Sequence, residues 1–111
     1  MDDFDWFAWA VGFWEGEGCV GLPGGYLGIS APQKEREPLD RLVTVFGGKV
    51  GGPYNTGCKY QWQLTGHGAW TFAERVMPYV SERRRVQLQE KIDRAKRRRP
   101  ALPDYGFHKF P

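Results

Sequence analysis

The chain has 111 residues, a formal net charge of +3 and a 41% share of hydrophobic residues, which predicts one compact domain with a modest core. No apolar run in the sequence approaches the roughly 20 residues that a membrane span needs. The N-terminus MDDFDW is acidic where a secretory signal is basic, and Cys19 and Cys58 form no CxxC pair, so we expect a reduced, intracellular protein that is not secreted.

The first predicted helix runs from about residue 4 to Glu15. Three aspartates lie within the first five residues and precede an apolar run, which places a capping side chain and acidic groups at the positive end of the helix dipole. Gly16 and Gly18 predict the end of this helix, because glycine frees the backbone to turn.

Small residues recur along one face of this helix. Ala8, Gly12 and Gly16 are spaced four apart, so they lie above one another on the helix surface. Small side chains at this spacing let two backbones approach closely. The pattern therefore predicts a face that packs against another helix.

Two hairpins and a second helix follow. The first hairpin is CVGL (19–22) and YLGISA (26–31) around Pro-Gly-Gly, and the second is KVGGPYN (49–55) and CKYQWQLT (58–65) around Thr-Gly. Between them, residues 37–46 have a proline in the first turn and apolar residues at helical spacing, and two glycines follow.

Alternation along the strands predicts one buried and one exposed face of the sheet. The buried face is expected to hold Val20, Leu22, Leu27, Ile29, Ala31, Tyr60, Trp62 and Leu64. The other face is expected to hold Cys19, Gly21, Tyr26, Gly28, Ser30, Lys59, Gln61, Gln63 and Thr65. Amide and lysine side chains on an open sheet suit base edges in the major groove of DNA, although an ordinary solvated sheet face explains the same pattern.

The remaining elements are helical. Residues 69–77 predict a helix that ends at Pro78, and a last helix begins at Glu82 and is broken at Pro100. We therefore predict an α+β fold of order αββαββαα, with a four-stranded antiparallel sheet and helices on one face. Residues 1–99 form the predicted domain, and residues 100–111 form an irregular tail.

The positive charge is concentrated in the last helix. Residues 82–99 carry nine Lys or Arg and three Asp or Glu, whereas the rest of the chain has more acidic than basic side chains. Such a segment indicates a polyanionic partner, either nucleic acid or an anionic membrane surface, and a solvated helix is the plain alternative. The membrane alternative is weak, because Val86, Leu88 and Ile92 form no wide apolar stripe.

The stretch AVGFWEGEG (10–18) resembles the nine-residue signature of the LAGLIDADG homing endonucleases. The predicted order of helices and strands also matches the fold of that family. Gln33-Lys34 resembles its strand-to-helix junction, and residues 77–87 resemble the basic stretch that opens its last helix. The positions that match the signature are the small residues Gly12, Gly16 and Gly18 and the acids Glu15 and Glu17.

The resemblance implies a homodimeric, site-specific endonuclease that hydrolyses phosphodiester bonds of double-stranded DNA with Mg²⁺, for which Mn²⁺ substitutes, and that is encoded by a mobile element or phage. The implied catalytic residues are Glu17, which also binds the metal, Gln33 and Arg83, whereas Glu15 is implied to be structural. The implied dimer interface is Ala8, Gly12 and Gly16. The expected DNA contacts are Tyr26, Ser30, Lys34, Lys59, Gln61, Gln63, Arg84 and Arg85.

The sequence departs from the family pattern in two ways. Glu replaces Asp at both acid positions, and only 14 residues separate Gly18 from Gln33, so the first hairpin is short. The short hairpin favours an alternative function, a DNA-binding module of the same fold without cleavage, such as a regulator or an RNA-splicing helper. The presence of Glu17, Gln33 and Arg83 favours the endonuclease, because a protein that only binds DNA does not need them.

Overall fold

A computed structural model describes residues 2–55 and 57–98, so the predicted tail and the helix end at Pro100 lie outside the described residues. The predicted order of elements and the α+β fold are confirmed. The helices are α1 (Asp3–Glu17), α2 (Glu37–Phe46), α3 (Gly66–Val76) and α4 (Glu82–Arg98), and the strands are β1 (Cys19–Gly21), β2 (Gly28–Gln33), β3 (Lys49–Gly51) and β4 (Tyr60–Thr65). None of the described helices is long and apolar enough to cross a membrane.

Helix α1 begins with a reciprocal cap. The Asp2 side chain accepts a hydrogen bond from the Asp5 backbone, and the Asp5 side chain accepts one from the Asp2 backbone. The helix continues through Gly16 to Glu17, with Gly18 as its C-cap, so its predicted end at Glu15 is wrong by two residues. A glycine costs a helix only about 1 kcal/mol, which the contacts of this helix end outweigh.

The four strands form one antiparallel sheet in the order β1-β2-β4-β3. Ile29 lies opposite Leu64 and Ala31 opposite Trp62 in the β2–β4 register, and all four residues are buried. Helices α1, α2 and α3 contact β2, and α4 contacts β1. The alternation of the strands therefore separates a core face from an open face, as predicted.

An aromatic cluster joins the helices to the sheet. The ring of Phe72 on α3 lies 5.0 Å from Trp14, 4.8 Å from Phe46 and 6.0 Å from Trp62, measured between ring centroids. The indole nitrogen of Trp62 donates to the main-chain oxygen of Gly47 at 2.9 Å. Because these rings come from α1, α2, α3 and β4, the cluster fixes the end of α1 relative to the sheet.

Several element ends differ from the sequence prediction: β1 ends at Gly21, β2 covers Gly28–Gln33 rather than residues 26–31, and β4 begins at Tyr60 rather than at residue 58. Helix α3 begins at Gly66 rather than at residue 69, because Gly66, with a φ of 58°, turns the chain directly from β4 into the helix. Strand β3 ends at Gly51, since Gly52 has a φ of 112° and Pro53 has no N–H to donate.

Candidate functional site

The ends of α1 and β2 meet at a pair of polar side chains. Nε2 of Gln33 donates a hydrogen bond of 3.0 Å to Oε1 of Glu17, the last residue of α1. Glu17 is exposed and Gln33 is half-buried. Two of the three predicted catalytic residues are therefore in contact, and Glu17 belongs to the helix rather than to the turn after it.

The donor atoms of this pair suit a hard divalent cation. Mg²⁺ prefers carboxylate and carbonyl oxygens and fills the rest of its shell with water and phosphate. Across residues 2–55 and 57–98, no three His, Cys, Asp or Glu side chains lie together in a way that could hold a metal. A cation at Glu17 and Gln33 would need water, phosphate or a second copy of the chain to complete its shell.

Glu15 faces different neighbours. Its two carboxylate oxygens accept hydrogen bonds from the backbone N–H of Ser81 at 2.7 Å and from the Ser81 hydroxyl at 2.9 Å. Burial alone would raise the pKa of Glu15, but the Ser81 hydrogen bonds and the charges of Arg84 and Arg83 hold it below its ordinary value. Because Ser81 directly precedes α4, Glu15 ties the end of α1 to the start of α4, which agrees with a structural role.

Arg84 is not available for a phosphate, and its prediction as a DNA contact is corrected by the structure. The residue is 5% exposed. Its guanidinium donates to the main-chain oxygens of Glu15 at 3.0 Å and Gly18 at 2.7 Å and to the side-chain oxygen of Gln87 at 2.8 Å. Burial and the nearby charge of Arg83 lower the pKa of Arg84 from its ordinary value. All of these partners lie within the protein.

A signal for this burial was present in the sequence. Arg84 shares a helix face with Leu88, Ile92 and Ala95, which are spaced three or four residues apart and are all buried. The basic run drew attention to charge, whereas the helical period of the same residues indicates the core side of α4.

The two arginines on either side differ from Arg84. The side chain of Arg83 is 72% exposed, and its Nη2 lies 4.0 Å from the carboxylate of Glu15. Arg85 is half-buried and donates to the main-chain oxygen of Val80 at 3.1 Å and to Glu82 at 3.3 Å. Arg83 is thus placed next to the end of α1 with its charge largely in solvent.

The open face of the sheet carries its polar side chains in one row. Ser30 lies opposite Gln63, and Gln63 lies opposite Lys49 on the other side. Cys19 opposite Ser30 completes a row across all four strands. Lys49 was missed in the sequence, although pairing of the second hairpin places it beside Gln63. Gln61 lies on the same face, two residues before Gln63 on β4.

The next row of the open face has small side chains. Gly21 lies opposite Gly28, and Gly28 lies opposite Thr65. A methyl group on Gly28 would come within 2.8 Å of the Pro23 ring, so the proline occupies the space above this glycine. The polar groups of the open face are therefore concentrated towards the end of the sheet that holds Gln33.

The other predicted DNA contacts lie around this face. Lys34 directly follows β2, and Lys59 directly precedes β4; both are exposed. Tyr26 is half-buried at the end of the turn Pro23–Gly25. The two lysines add positive charge near the row of Ser30, Gln63 and Lys49.

The small-residue face of α1 is open in the single chain. Ala8, Gly12 and Gly16 are exposed, and a methyl group added at Gly12 or Gly16 would meet no atom within 4 Å. Phe4 is 72% exposed and Tyr79 is 65% exposed at the edges of this groove. The predicted interface is therefore free to receive a partner, and dimerisation itself stays a prediction.

Among solved structures, the chain is similar to the archaeal intron-encoded homing endonuclease I-Vdi141I in its complex with DNA. The match covers 90% of this chain and 72% of that chain, with a TM-score of 0.67 and 16% sequence identity. The chain has a homing-endonuclease-like fold. No protein-family model and no curated protein sequence matches it, so the resemblance of residues 10–18 to the LAGLIDADG signature stays a prediction.

Within this homing-endonuclease-like fold, the predicted site residues form three groups. Glu17 and Gln33 are in direct contact, the sheet residues share one open face, and the small residues of α1 share one open groove. Arg83 lies next to Glu15. Of the predicted catalytic residues, Glu17 and Gln33 meet at the end of α1 and Arg83 lies beside it, whereas Arg84, predicted to contact DNA, is buried against that helix end.

Proposed function

We propose that two copies of this chain form a site-specific, metal-dependent endonuclease that hydrolyses phosphodiester bonds in double-stranded DNA, and that the chain is a LAGLIDADG protein. The observation that carries this proposal is the 3.0 Å hydrogen bond between Glu17 and Gln33, at the end of the sheet where the polar side chains are concentrated. The fold supports it, because the similar solved structure is a homing endonuclease in complex with DNA.

The open sheet face is the proposed DNA-binding surface. Gln63 can bond an adenine edge through both of its amide atoms, and Lys49 can donate to guanine. Ser30 between β1 and β4 adds a hydroxyl that donates and accepts. The exposed side chains of Lys34 and Lys59 supply charge for phosphates, which fix the register of the duplex.

The small-residue face of α1 is the proposed dimer interface. Two helices that pack through Gly12 and Gly16 can approach closely because neither glycine has a side chain in the groove. Each copy then brings its own Glu17 to the region where the two α1 helices end. Such an arrangement would place one carboxylate near each strand of the duplex.

Glu17 and Gln33 are the residues that would hold Mg²⁺, through carboxylate and amide oxygens. A Mg²⁺ ion held there would polarise the scissile phosphate, activate water and stabilise the leaving oxygen. Gln33 donates to one oxygen of Glu17 and thereby orients the other. Glu17 is the last residue of α1 and its carboxylate is exposed, so its negative charge attracts a cation. Arg83 contributes positive charge to the phosphate.

The test compares cleavage with binding in two variants. A randomised duplex library with Mg²⁺ first yields a target, on which single-turnover cleavage and affinity are measured. Glu17→Gln keeps the shape and removes the charge, so cleavage should fall by about 10²–10⁴-fold while binding persists or tightens. Glu35→Gln, which removes an exposed carboxylate two residues after Gln33, should cleave like the wild type.

Two outcomes contradict the proposal. Cleavage by Glu17→Gln at the wild-type rate would show that this carboxylate has no part in the reaction. Tight binding of a target that is never cut with Mg²⁺ or Mn²⁺ would instead support a DNA-binding module of the same fold, acting as a regulator or an RNA-splicing helper.

A further inference from the structure

A buried arginine side chain lies against the end of α1. Arg84 is 5% exposed, and its Nη2 donates to the main-chain oxygens of Trp14, Glu15 and Gly18 at 3.5, 3.0 and 2.7 Å. Its Nε donates to Glu15 as well, at 3.2 Å. One guanidinium therefore contacts the backbone both before and after Glu17.

These contacts answer an electrostatic need of the helix end. The last carbonyls of a helix have no partners within the helix, and the end carries partial negative charge. In α1 the carboxylates of Glu15 and Glu17 add to that charge, and no basic side chain lies in the last turn. Arg84 supplies the missing donors and the missing positive charge from α4.

The neighbouring side chains hold the guanidinium in place. It lies over the ring of Trp14, 4.5 Å from the ring centroid, and its Nη1 donates to Gln87 at 2.8 Å. Gly18 leaves room for the Trp14 ring, since a methyl group at Gly18 would collide with that ring. Trp14, Gly18 and Arg84 thus pack as one unit beneath Glu17.

We propose that Arg84 is a positioning residue: it fixes the backbone on both sides of Glu17 and so sets where the Glu17 carboxylate stands relative to Gln33. The inference rests on the proposed function, in which Glu17 holds the metal. Arg84 itself touches neither DNA nor metal. Its effect on the reaction passes through the end of α1.

Arg84→Lys is the informative substitution because it keeps the positive charge and removes the planar set of guanidinium donors. A guanidinium has five N–H donors on a plane, whereas an ammonium has one nitrogen with three donors. Arg84→Lys therefore replaces the three guanidinium nitrogens, which contact Glu15, Gly18 and Gln87 separately, by a single nitrogen. Gln87→Ala is the second variant, because it leaves the guanidinium in place and removes its anchor on α4.

The first measurement is amide hydrogen exchange by NMR, which needs no activity. The Gly18 N–H, which donates to Trp14 at 2.7 Å, should exchange about 10-fold faster in Arg84→Lys than in the wild type because the last turn opens locally. The amides of Ala31 and Trp62 in the centre of the sheet should keep their wild-type rates. Gln87→Ala should change the Gly18 rate in the same direction by a smaller factor.

The second measurement is the Mg²⁺ concentration that gives half of the maximal single-turnover rate. Arg84→Lys should raise it by about 10-fold, as expected when a group behind a metal ligand is lost, with DNA affinity unchanged. The matched control is Leu88→Ala, one turn further along α4 and fully buried. It should lower stability but removes none of the Arg84 hydrogen bonds to the end of α1, so its Mg²⁺ midpoint should stay at the wild-type value.

The inference is wrong if the Gly18 amide exchanges at the wild-type rate in Arg84→Lys, or if Leu88→Ala shifts the Mg²⁺ midpoint as much as Arg84→Lys does. If Arg84→Lys does not fold, an unchanged Gly18 rate in Gln87→Ala overturns the inference in the same way. A wild type without cleavage would refute the proposed endonuclease, whereas the exchange at Gly18 would still decide whether Arg84 fixes the end of α1.

Discussion

Glu15 and Glu17 are two residues apart at the end of α1, and their side chains face different parts of the molecule. Successive residues of an α-helix are rotated by about 100°, so side chains two apart point to different sides. Glu15 reaches Ser81 before α4, and Glu17 reaches Gln33 at the end of β2. Glu15 therefore stabilises the contact between α1 and α4, whereas Glu17 stays exposed at the proposed metal site.

The contacts of Glu15 predict a pH-dependent stability. Its pKa is lowered in the folded chain, so ionised Glu15 stabilises the fold above the unfolded pKa of about 4.3, and this contribution is lost as the pH falls through the folded value. Glu15→Gln should lower the free energy of unfolding by about 1–3 kcal/mol at pH 7. Urea denaturation at pH 7 and at several pH values below about 4.3 checks this.

The difference between the wild type and Glu15→Gln should shrink across that acidic range. Glu35→Gln removes an exposed carboxylate and should change stability by less than about 0.5 kcal/mol. A loss in Glu15→Gln that is equally large at pH 7 and under acidic conditions would show that the Glu15 charge does not stabilise the fold.

At the scale of elements, the sequence predicts best where local signals agree. Helix α2 has the predicted bounds Glu37–Phe46, since a proline near its start, apolar residues at helical spacing and Gly47 after its end all indicate the same segment. The faces of β2 and β4 follow from alternation in the same way. Helix α1 passes Gly16 because contacts from α4, distant in the chain, hold its end.

The part of the site that sequence reasoning could not supply depends on such distant contacts. Gln33 and Glu17 are 16 residues apart, and their hydrogen bond requires that β2 returns beside the end of α1. Arg84 lies 66 residues from Gly18. A local pattern shows that Arg84 is charged and on the core side of a helix, but it does not show which carbonyls it will meet.

The open face of the sheet predicts where sequence preference resides. Gln63→Ala and Lys49→Ala should each relax the preference at one base pair by about 1–3 kcal/mol, because each removes hydrogen bonds to a base edge. Trp62→Ala, on the buried face, should instead lower the free energy of unfolding by about 3–5 kcal/mol. Binding selections from a randomised library and urea denaturation measure the two effects.

If Gln63→Ala and Lys49→Ala both select the same DNA site as the wild type, the open face of the sheet does not contact the bases. Thr65→Ala, in the row of Gly21 and Gly28, serves as the control on the same face. We expect a smaller change there, since that row offers few polar groups to the bases.

The groove along α1 predicts the oligomeric state. The wild type should sediment as a dimer at micromolar concentration, whereas Gly12→Leu should sediment as a monomer because its side chain fills the groove. Gly12→Ala is the control for effects on the helix itself. Within one chain its methyl group meets no atom, and alanine stabilises an α-helix by up to about 1 kcal/mol relative to glycine. A monomeric wild type, even with DNA present, would refute this interface.

At the scale of the whole molecule, the fold divides the basic segment between two surroundings. Its start lies beside the end of α1, where Arg83 approaches Glu15. Its later part packs on α3, where the Lys96 ammonium lies 5.9 Å from the centre of the Trp70 ring. The sequence shows nine basic residues between 82 and 99 as one cluster, but in the described part of the segment Arg83 lies beside α1 and Lys96 lies beside α3.

This division predicts which charges determine the salt dependence of DNA binding. Each phosphate contact contributes about 0.9 to the slope of log K against log salt concentration for duplex DNA. Arg83→Ala, Lys34→Ala and Lys59→Ala together should flatten the slope by about 5 for a dimer, since each change removes one contact per copy. Lys96→Ala with Arg97→Ala should leave the slope unchanged, because Lys96 packs against α3, which lies on the core face of the sheet. Fluorescence anisotropy between about 50 and 200 mM salt measures both variants. If the second variant flattened the slope as much as the first, the helix layer rather than the open sheet would be the surface that meets DNA.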